Sequence, residues 1–262
     1  MAKRPLGIFD SGLGGLSVAR EVRRRLPQED VLYLADSAYC PYGGRPLGQI
    51  RERSIAVTGA LIEHGAKLVV AACNTASGAA IEQLRERFDV PIVGLEPAVK
   101  PAAASSAKRR FAVLATPATL ITERFHRLLD NHGSDVEVIK LACPGFVELV
   151  EAGELSGDRA ITMIREVLEP LRDADIDRVV LGCTHYPFLR DAIAHVLGDG
   201  VEILDSGAAV ARQVERVLTE EGIRELTGEG TFRAFTTGDP LTVGPVIDRL
   251  WDGTVEVDKV DA

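Results

Sequence analysis

The chain has 262 residues, 46% hydrophobic and 26% charged, a balance that belongs to a globular protein with a substantial core. It has no run of about 18 apolar residues, so no membrane span is expected. Its formal charge of −9 speaks against a broad nucleic-acid surface, which would rely on Lys and Arg.

Four cysteines occur without CxxC spacing, which fits reduced thiols better than a disulfide framework. The N-terminal stretch reaches Asp10 before any adequate apolar segment, so no signal peptide and a cytoplasmic location are expected. Strand-like runs then alternate with helical patterns. That argues for α/β layers, with mainly parallel sheets flanked by helices. Leu6–Phe9 is a first strand, and Leu16, Ala19, Val22 and Leu26 follow at helical spacing until Pro27. Val31–Ala35 and Leu68–Ala72 are further strands. After Cys73 a helix carries Ile81, Leu84 and Phe88 on one face, and Pro91 introduces a short strand at Ile92–Leu95.

The pattern then restarts. Phe111–Ala115 and Val136–Leu141 read as strands, and Val179–Leu181 runs towards Cys183. The next helix has Phe188 or Leu189, Ala192, Ile193 and Val196 on its buried side, and Val201–Leu204 closes the set. Strand, cysteine, helix and strand recur in one order, which points to two similar α/β domains despite low identity between them. The Ala-rich stretch Pro97–Ala107 is the expected crossing. From Gly207 a helix (Val210, Val214, Val217), a strand (Thr231–Thr236), and a terminal helix and strand are expected to return to the first domain. The division is therefore set at residues 1–97 with 208–262, and 98–207.

Two corners carry the strongest chemical signal. Leu68–Ala72 runs into Cys73-Asn74-Thr75, and Val179–Gly182 runs into Cys183-Thr184-His185. A thiol there sits outside the carboxyl end of a strand, where α/β proteins put their chemistry. Amides at a helix start are expected to lower its pKa. A free cysteine can equally be a small buried hydrophobe. Two in equivalent positions favour chemistry, and suggest a base on each side of one carbon. His185 could exchange a proton with Cys183. The turn Asp10-Ser11-Gly12-Leu13-Gly14-Gly15 is either a bare tight turn or a place where amides meet a carboxylate. There Asp10 would face a substrate ammonium or orient a base. The loop from Asp36 to Gly44 offers Tyr42 and Gly43 as contacts, while Cys40 reads as filler. Zinc would want clustered ligands, and a pyridoxal Schiff base finds no lysine at either corner.

Six blocks together resemble the glutamate racemases of the aspartate/glutamate racemase superfamily. They are residues 9–15 and 35–43, Ala72-Cys73-Asn74-Thr75-Ala76-Ser77, residues 143–151, Leu181-Gly182-Cys183-Thr184-His185-Tyr186-Pro187, and Thr236-Thr237-Gly238-Asp239. The resemblance spans nearly the whole chain. It implies two similar α/β domains with the active site between them, no cofactor, no metal, and D-/L-glutamate as substrate. Cys73 would deprotonate the D enantiomer and Cys183 the L enantiomer. Asp10, Asp36, Glu151 and His185 match auxiliary catalytic positions. Asp10-Ser11, Tyr42-Gly43, Asn74-Thr75 and Thr184-His185 match substrate-binding pairs, and Thr116 and Thr119 would line the pocket. Glu148, where the family often has proline, bears only on local loop shape. The resemblance further implies D-glutamate supply for peptidoglycan and a homodimer, with no membrane and no direct nucleic-acid partner. An action on DNA gyrase, known of some members, has no signal in these residues. The rival readings are a racemase acting on aspartate or a hydantoin, and a non-catalytic dicarboxylate-binding protein.

Overall fold

A computed structural model describes residues 4–133 and 135–262. Strands β1 (Leu6–Asp10), β2 (Val31–Ala35), β3 (Leu68–Ala71) and β4 (Ile92–Gly94) lie in one sheet. Strands β5 (Arg110–Ala115), β6 (Glu137–Ala142), β7 (Arg178–Leu181) and β8 (Glu202–Leu204) form another. The chain then returns to the first sheet with β9 (Phe232–Thr236) and β10 (Val257–Lys259). All these pairings are parallel. The apolar runs are continuous rather than alternating because helices cover both faces, and β1, β2 and β3 are buried along their whole length.

The first sheet has the order β10-β9-β2-β1-β3-β4, and the second β6-β5-β7-β8. The run β2-β1-β3-β4 therefore repeats as β6-β5-β7-β8, so the recurrence legible in the sequence is a recurrence of topology.

Helices α1 (Leu16–Arg25), α2 (Leu47–Glu63) and α3 (Asn74–Arg87) connect the first strands. Next come α4 (Val99–Ser105), α5 (Pro117–Leu120), α6 (Glu123–His132), α7 (Phe146–Glu151), α8 (Asp158–Leu168) and α9 (Arg190–Leu197). Helices α10 (Gly207–Glu220) and α11 (Pro240–Trp251) flank β9 in sequence. One apolar cluster runs from Leu6, Ile8 and Val70 through Phe146 and Val150 to Leu114 and Val179, joining the inner faces of both sheets. The outer faces have separate clusters, around Phe9, Leu34 and Val69 in the first sheet and around Phe111, Val113 and Val180 in the second.

Three differences from the sequence reading have local causes. The crossing at Pro97–Ala107 contains α4, because alanine is the strongest helix former and proline is tolerated in a first turn. Helix α2 gave no apolar rhythm because Ser54 and Thr58 share its buried face; Ser54 Oγ donates to the Ile50 carbonyl at 2.7 Å. On α10 the last buried position is Leu218 rather than Val217.

Candidate active site

Each sheet has a point where successive connections leave in opposite directions, between β1 and β3 in the first and between β5 and β7 in the second. Crevices at such points hold ligands in open α/β sheets. Asp10 and Ser11 leave β1, Cys73-Asn74-Thr75 follow β3, Thr116 follows β5, and Cys183-Thr184-His185 follow β7. The parallel register keeps these ends level: Phe9 lies beside Ala71, and Leu114 beside Leu181.

Asp10 is fully buried, and its carboxylate accepts four hydrogen bonds. Ser11 donates to Oδ1 from its amide at 2.7 Å and from its hydroxyl at 3.3 Å. The Gly15 amide (2.6 Å) and the Thr184 hydroxyl (3.1 Å) donate to Oδ2. The Thr184 bond joins the two sheets' connections. Ser17 adds a second tie, its hydroxyl donating to the Thr184 carbonyl at 2.8 Å.

Cys73 caps α3 in an extended conformation, with Sγ 3.9 Å from Ser11 Oγ. Burial pushes its thiol well up, and the negative charges of Asp10 and a Cys183 thiolate push the same way. The Ala76 amide at the helix start acts in the expected downward direction but is outweighed. Burial and the neighbouring carboxylate decide the sign, and neither is visible in a linear sequence.

Cys183 Sγ lies 3.7 Å from Nδ1 of His185, and the other ring nitrogen is 2.6 Å from Glu151 Oε1. Burial by itself would lower the His185 pKa. Hydrogen bonding to Cys183, Cys40 and Glu151 outweighs it and holds the imidazole well above its ordinary value. The glycine turn supports this relay. The Leu13 amide donates to Glu151 Oε1 at 2.7 Å, and the Gly14 amide approaches His185 Nε2 at 3.2 Å. The anion received by the turn is thus the chain's own Glu151. A Cβ on Gly14 would fall 2.2 Å from His185 Nδ1 and 2.6 Å from the His185 backbone nitrogen. Only glycine allows that approach.

Three hydroxyls meet on the other flank. Thr75 Oγ1 lies 2.9 Å from Thr116 Oγ1 and 3.1 Å from Thr119 Oγ1, and the latter two are 2.9 Å apart. Gly43 packs against Thr116, to which a Cβ would come within 2.8 Å. The Asn74 side-chain nitrogen is buried with no hydrogen-bond partner among the described residues.

Asp36 stands one layer back. Arg53 grips both its oxygens at 2.8 and 3.0 Å, Tyr42 donates its hydroxyl at 2.5 Å, and the Thr237 hydroxyl donates at 2.8 Å. The structure thus gathers Asp10, Ser11, Cys73, Thr75, Thr116, Thr119, Glu151, Cys183, Thr184 and His185. Asp36 is set to hold Tyr42. Arg53 and Thr237 were given no role on sequence grounds; Thr237 lay within a recognised block, and Arg53 carried no signal. Cys40 also lies against the relay, its thiol pushed up to about 12, chiefly by burial.

A fold of two like-ordered parallel sheets, with a cysteine at each crevice, defines a two-domain racemase class. The Asp/Glu/hydantoin racemase family matches residues 16–214, and the chain belongs to that family. Within it the chain stands among the glutamate racemases. It is 46% identical over 258 residues to the glutamate racemase of Pseudomonas paraeruginosa, covering 98% of this chain and 97% of that one. The solved structure of glutamate racemase isoform RacE1 from Bacillus anthracis superposes with a TM-score of 0.90 at 31% identity, covering 98% and 97%. Escherichia coli glutamate racemase, solved with L-glutamate and the activator UDP-MurNAc-Ala, gives a TM-score of 0.87 at 36% identity, covering 98% of each chain.

Proposed function

We propose that the chain interconverts L- and D-glutamate without a cofactor, Cys73 and Cys183 acting as bases on opposite faces of Cα. One observation carries this reading: each buried thiol has its own buried ionisable neighbour, Asp10 beside Cys73 and His185 beside Cys183. In one direction the Cys73 thiolate takes the proton of D-glutamate, and the Cys183 thiol delivers a proton to the other face. The reverse step exchanges their roles. His185 and Glu151 carry the proton to and from Cys183.

The Cα–H is a very weak acid, so charge must be stabilised as it forms. Preorganised donors around the α-carboxylate supply that, and Asn74, Thr75 and Thr184 are assigned the task. The substrate ammonium settles beside Asp10. Its positive charge offsets the carboxylate charge that, second to burial, holds the Cys73 thiol up, which favours the thiolate when substrate is present. Ser11, Tyr42, Gly43, Thr116, Thr119 and His185 complete the lining, while Asp36 fixes Tyr42.

The assigned biological role is supply of D-glutamate for peptidoglycan, in the cytoplasm, by a homodimer. Domain limits are placed at residues 1–97 with 208–262, and 98–207. The test is exchange of the Cα hydrogen with deuterated solvent in D- and L-glutamate, for the parent and for Cys73→Ser and Cys183→Ser. Both variants should lose full racemisation, and normal turnover in either removes that cysteine from the mechanism. Aspartate and hydantoins offered in parallel separate the rival substrates. A parent that binds glutamate yet never exchanges its Cα hydrogen is a binding protein instead.

A further inference from the structure

Cys40 is a third thiol at this cleft, and the proton transfers above give it no task. Its sulfur, a Glu151 oxygen and a His185 nitrogen lie within 4.8 Å of one another. They come from the loop after β2, the end of α7 and the corner after β7, so the group spans the connections of both sheets. Gly12 lies against it: a Cβ there would come 2.2 Å from Glu151 Oε1 and 2.7 Å from Cys40 Sγ. The chain keeps that place free of a side chain.

We propose that Cys40, Glu151 and His185 form a binding site for a thiophilic divalent cation, Zn²⁺ above all, whose occupancy stops racemisation. Sulfur, imidazole nitrogen and carboxylate oxygen are the donor set of zinc, whereas magnesium and calcium want oxygens alone. One thiolate and one carboxylate neutralise the dication. Zinc bonds of about 2.0–2.3 Å in tetrahedral array put nitrogen and oxygen ligands about 3.3 Å apart. His185 Nε2 and Glu151 Oε1 now stand at 2.6 Å, so these two must part by about 0.7 Å, while Cys40 Sγ, within 4.8 Å of both, moves to bonding distance of the ion. Binding expels the Cys40 thiol proton and the proton shared by His185 and Glu151 to the buffer. Water takes the fourth position.

Inhibition follows from what the ion occupies. A coordinated His185 no longer passes protons between Cys183 and Glu151, and the ion pins the loop after β2 to the second sheet's connections. The inhibition rests on the racemase reading; the binding does not.

The test titrates the full chain with zinc chloride by calorimetry and follows cobalt(II) binding through its sulfur-to-metal charge-transfer band. Racemisation is assayed in parallel. The parent should take up one ion per chain, lose activity, and recover it with EDTA. Cys40→Ser and, as a second variant, Cys40→Ala are each compared with their own metal-free rate, which zinc should no longer depress. Their affinity should fall by at least the about 10–100-fold typical when a weaker, outer partner of a metal site is lost, and the charge-transfer band should vanish. Undiminished zinc binding in both variants overturns the site, because other groups would then hold the ion; so does a parent that binds no zinc. Cys40-dependent binding with unchanged turnover overturns the inhibition. A parent inactive from the outset, yet binding zinc through Cys40, shows that the racemase reading failed and the metal site did not.

Discussion

Thr184 and Asp10 are joined across the cleft, the Thr184 hydroxyl donating at 3.1 Å to the carboxylate oxygen that also receives the Gly15 amide. The same carboxylate raises the Cys73 pKa. Asp10→Asn should therefore do two opposite things. Racemisation should fall about 10²–10³-fold, as when one preorganised electrostatic partner of the reacting molecule is removed. The Cys73 thiol should meanwhile titrate at lower pH. Iodoacetamide labelling of the Cys73 peptide, followed across pH by mass spectrometry, reads this directly. An unmoved labelling profile would mean that burial alone sets this thiol.

Gly14 and Gly44 make a matched pair of tests. A methyl group on Gly14 strikes the His185 ring and backbone, whereas one on Gly44 meets none of the described residues within 4 Å. Gly14→Ala should destabilise the fold by about 1–3 kcal/mol, as overpacking does, and displace the His185 relay. Gly44→Ala should stay within about 0.5 kcal/mol of the parent. Urea unfolding midpoints with parallel turnover assays compare them. Equal behaviour of the two variants would deny that the glycine turn is packed on the imidazole.

Arg53 and Asp36 form an ion pair with the carboxylate fully buried and the Arg53 side chain 12% exposed. Arg53→Met should cost about 3 kcal/mol, the lower end for stripping a buried charge of its partner. At about 2–4 °C per kcal/mol for a chain of this size, Tm should drop roughly 6–12 °C. Arg53→Lys should fall between, since an ammonium cannot grip both carboxylate oxygens. Thermal unfolding followed by circular dichroism measures both. The KM for glutamate should rise with them as Tyr42 loses its anchor.

His185 gives a pH signature. Its pKa in the fold is raised, so it adds stability that is fully present below the unfolded value of about 6.5. That contribution is lost as pH rises through the folded value. Each unit of the rise is worth about 1.4 kcal/mol. The urea midpoint of His185→Gln should trail the parent most below pH about 6.5 and close the gap in alkali. A gap that widened with pH would place a neutral imidazole at this position.

The two cysteine corners were legible because an apolar run that stops at a thiol marks both the strand's end and the residue beyond it. The repeated order of strands was legible for the same reason. Other features lie in pairings that no local pattern announces. Glu151 reaches the Leu13 amide from 138 positions away, and Asp36 is met by Thr237 from 201 positions away. Helix α2 hid because serine and threonine interrupt its buried face. The direction of the Cys73 pKa was misjudged for a related reason. The helix-start effect is local and readable, while burial and the Asp10 charge exist only once the chain has folded.

The late return of the chain to β2 bears on how the molecule is made. Strand β2 gains its outer neighbour only with Phe232–Thr236, whereas β8 ends at Leu204. On the ribosome, the part bearing Cys183 can therefore close while the part bearing Asp10 and Cys73 still has a bare strand margin, a surface prone to wrong pairing. Emergence of Thr237 then clamps Asp36, so a stretch made long after the loop that carries Tyr42 seals it.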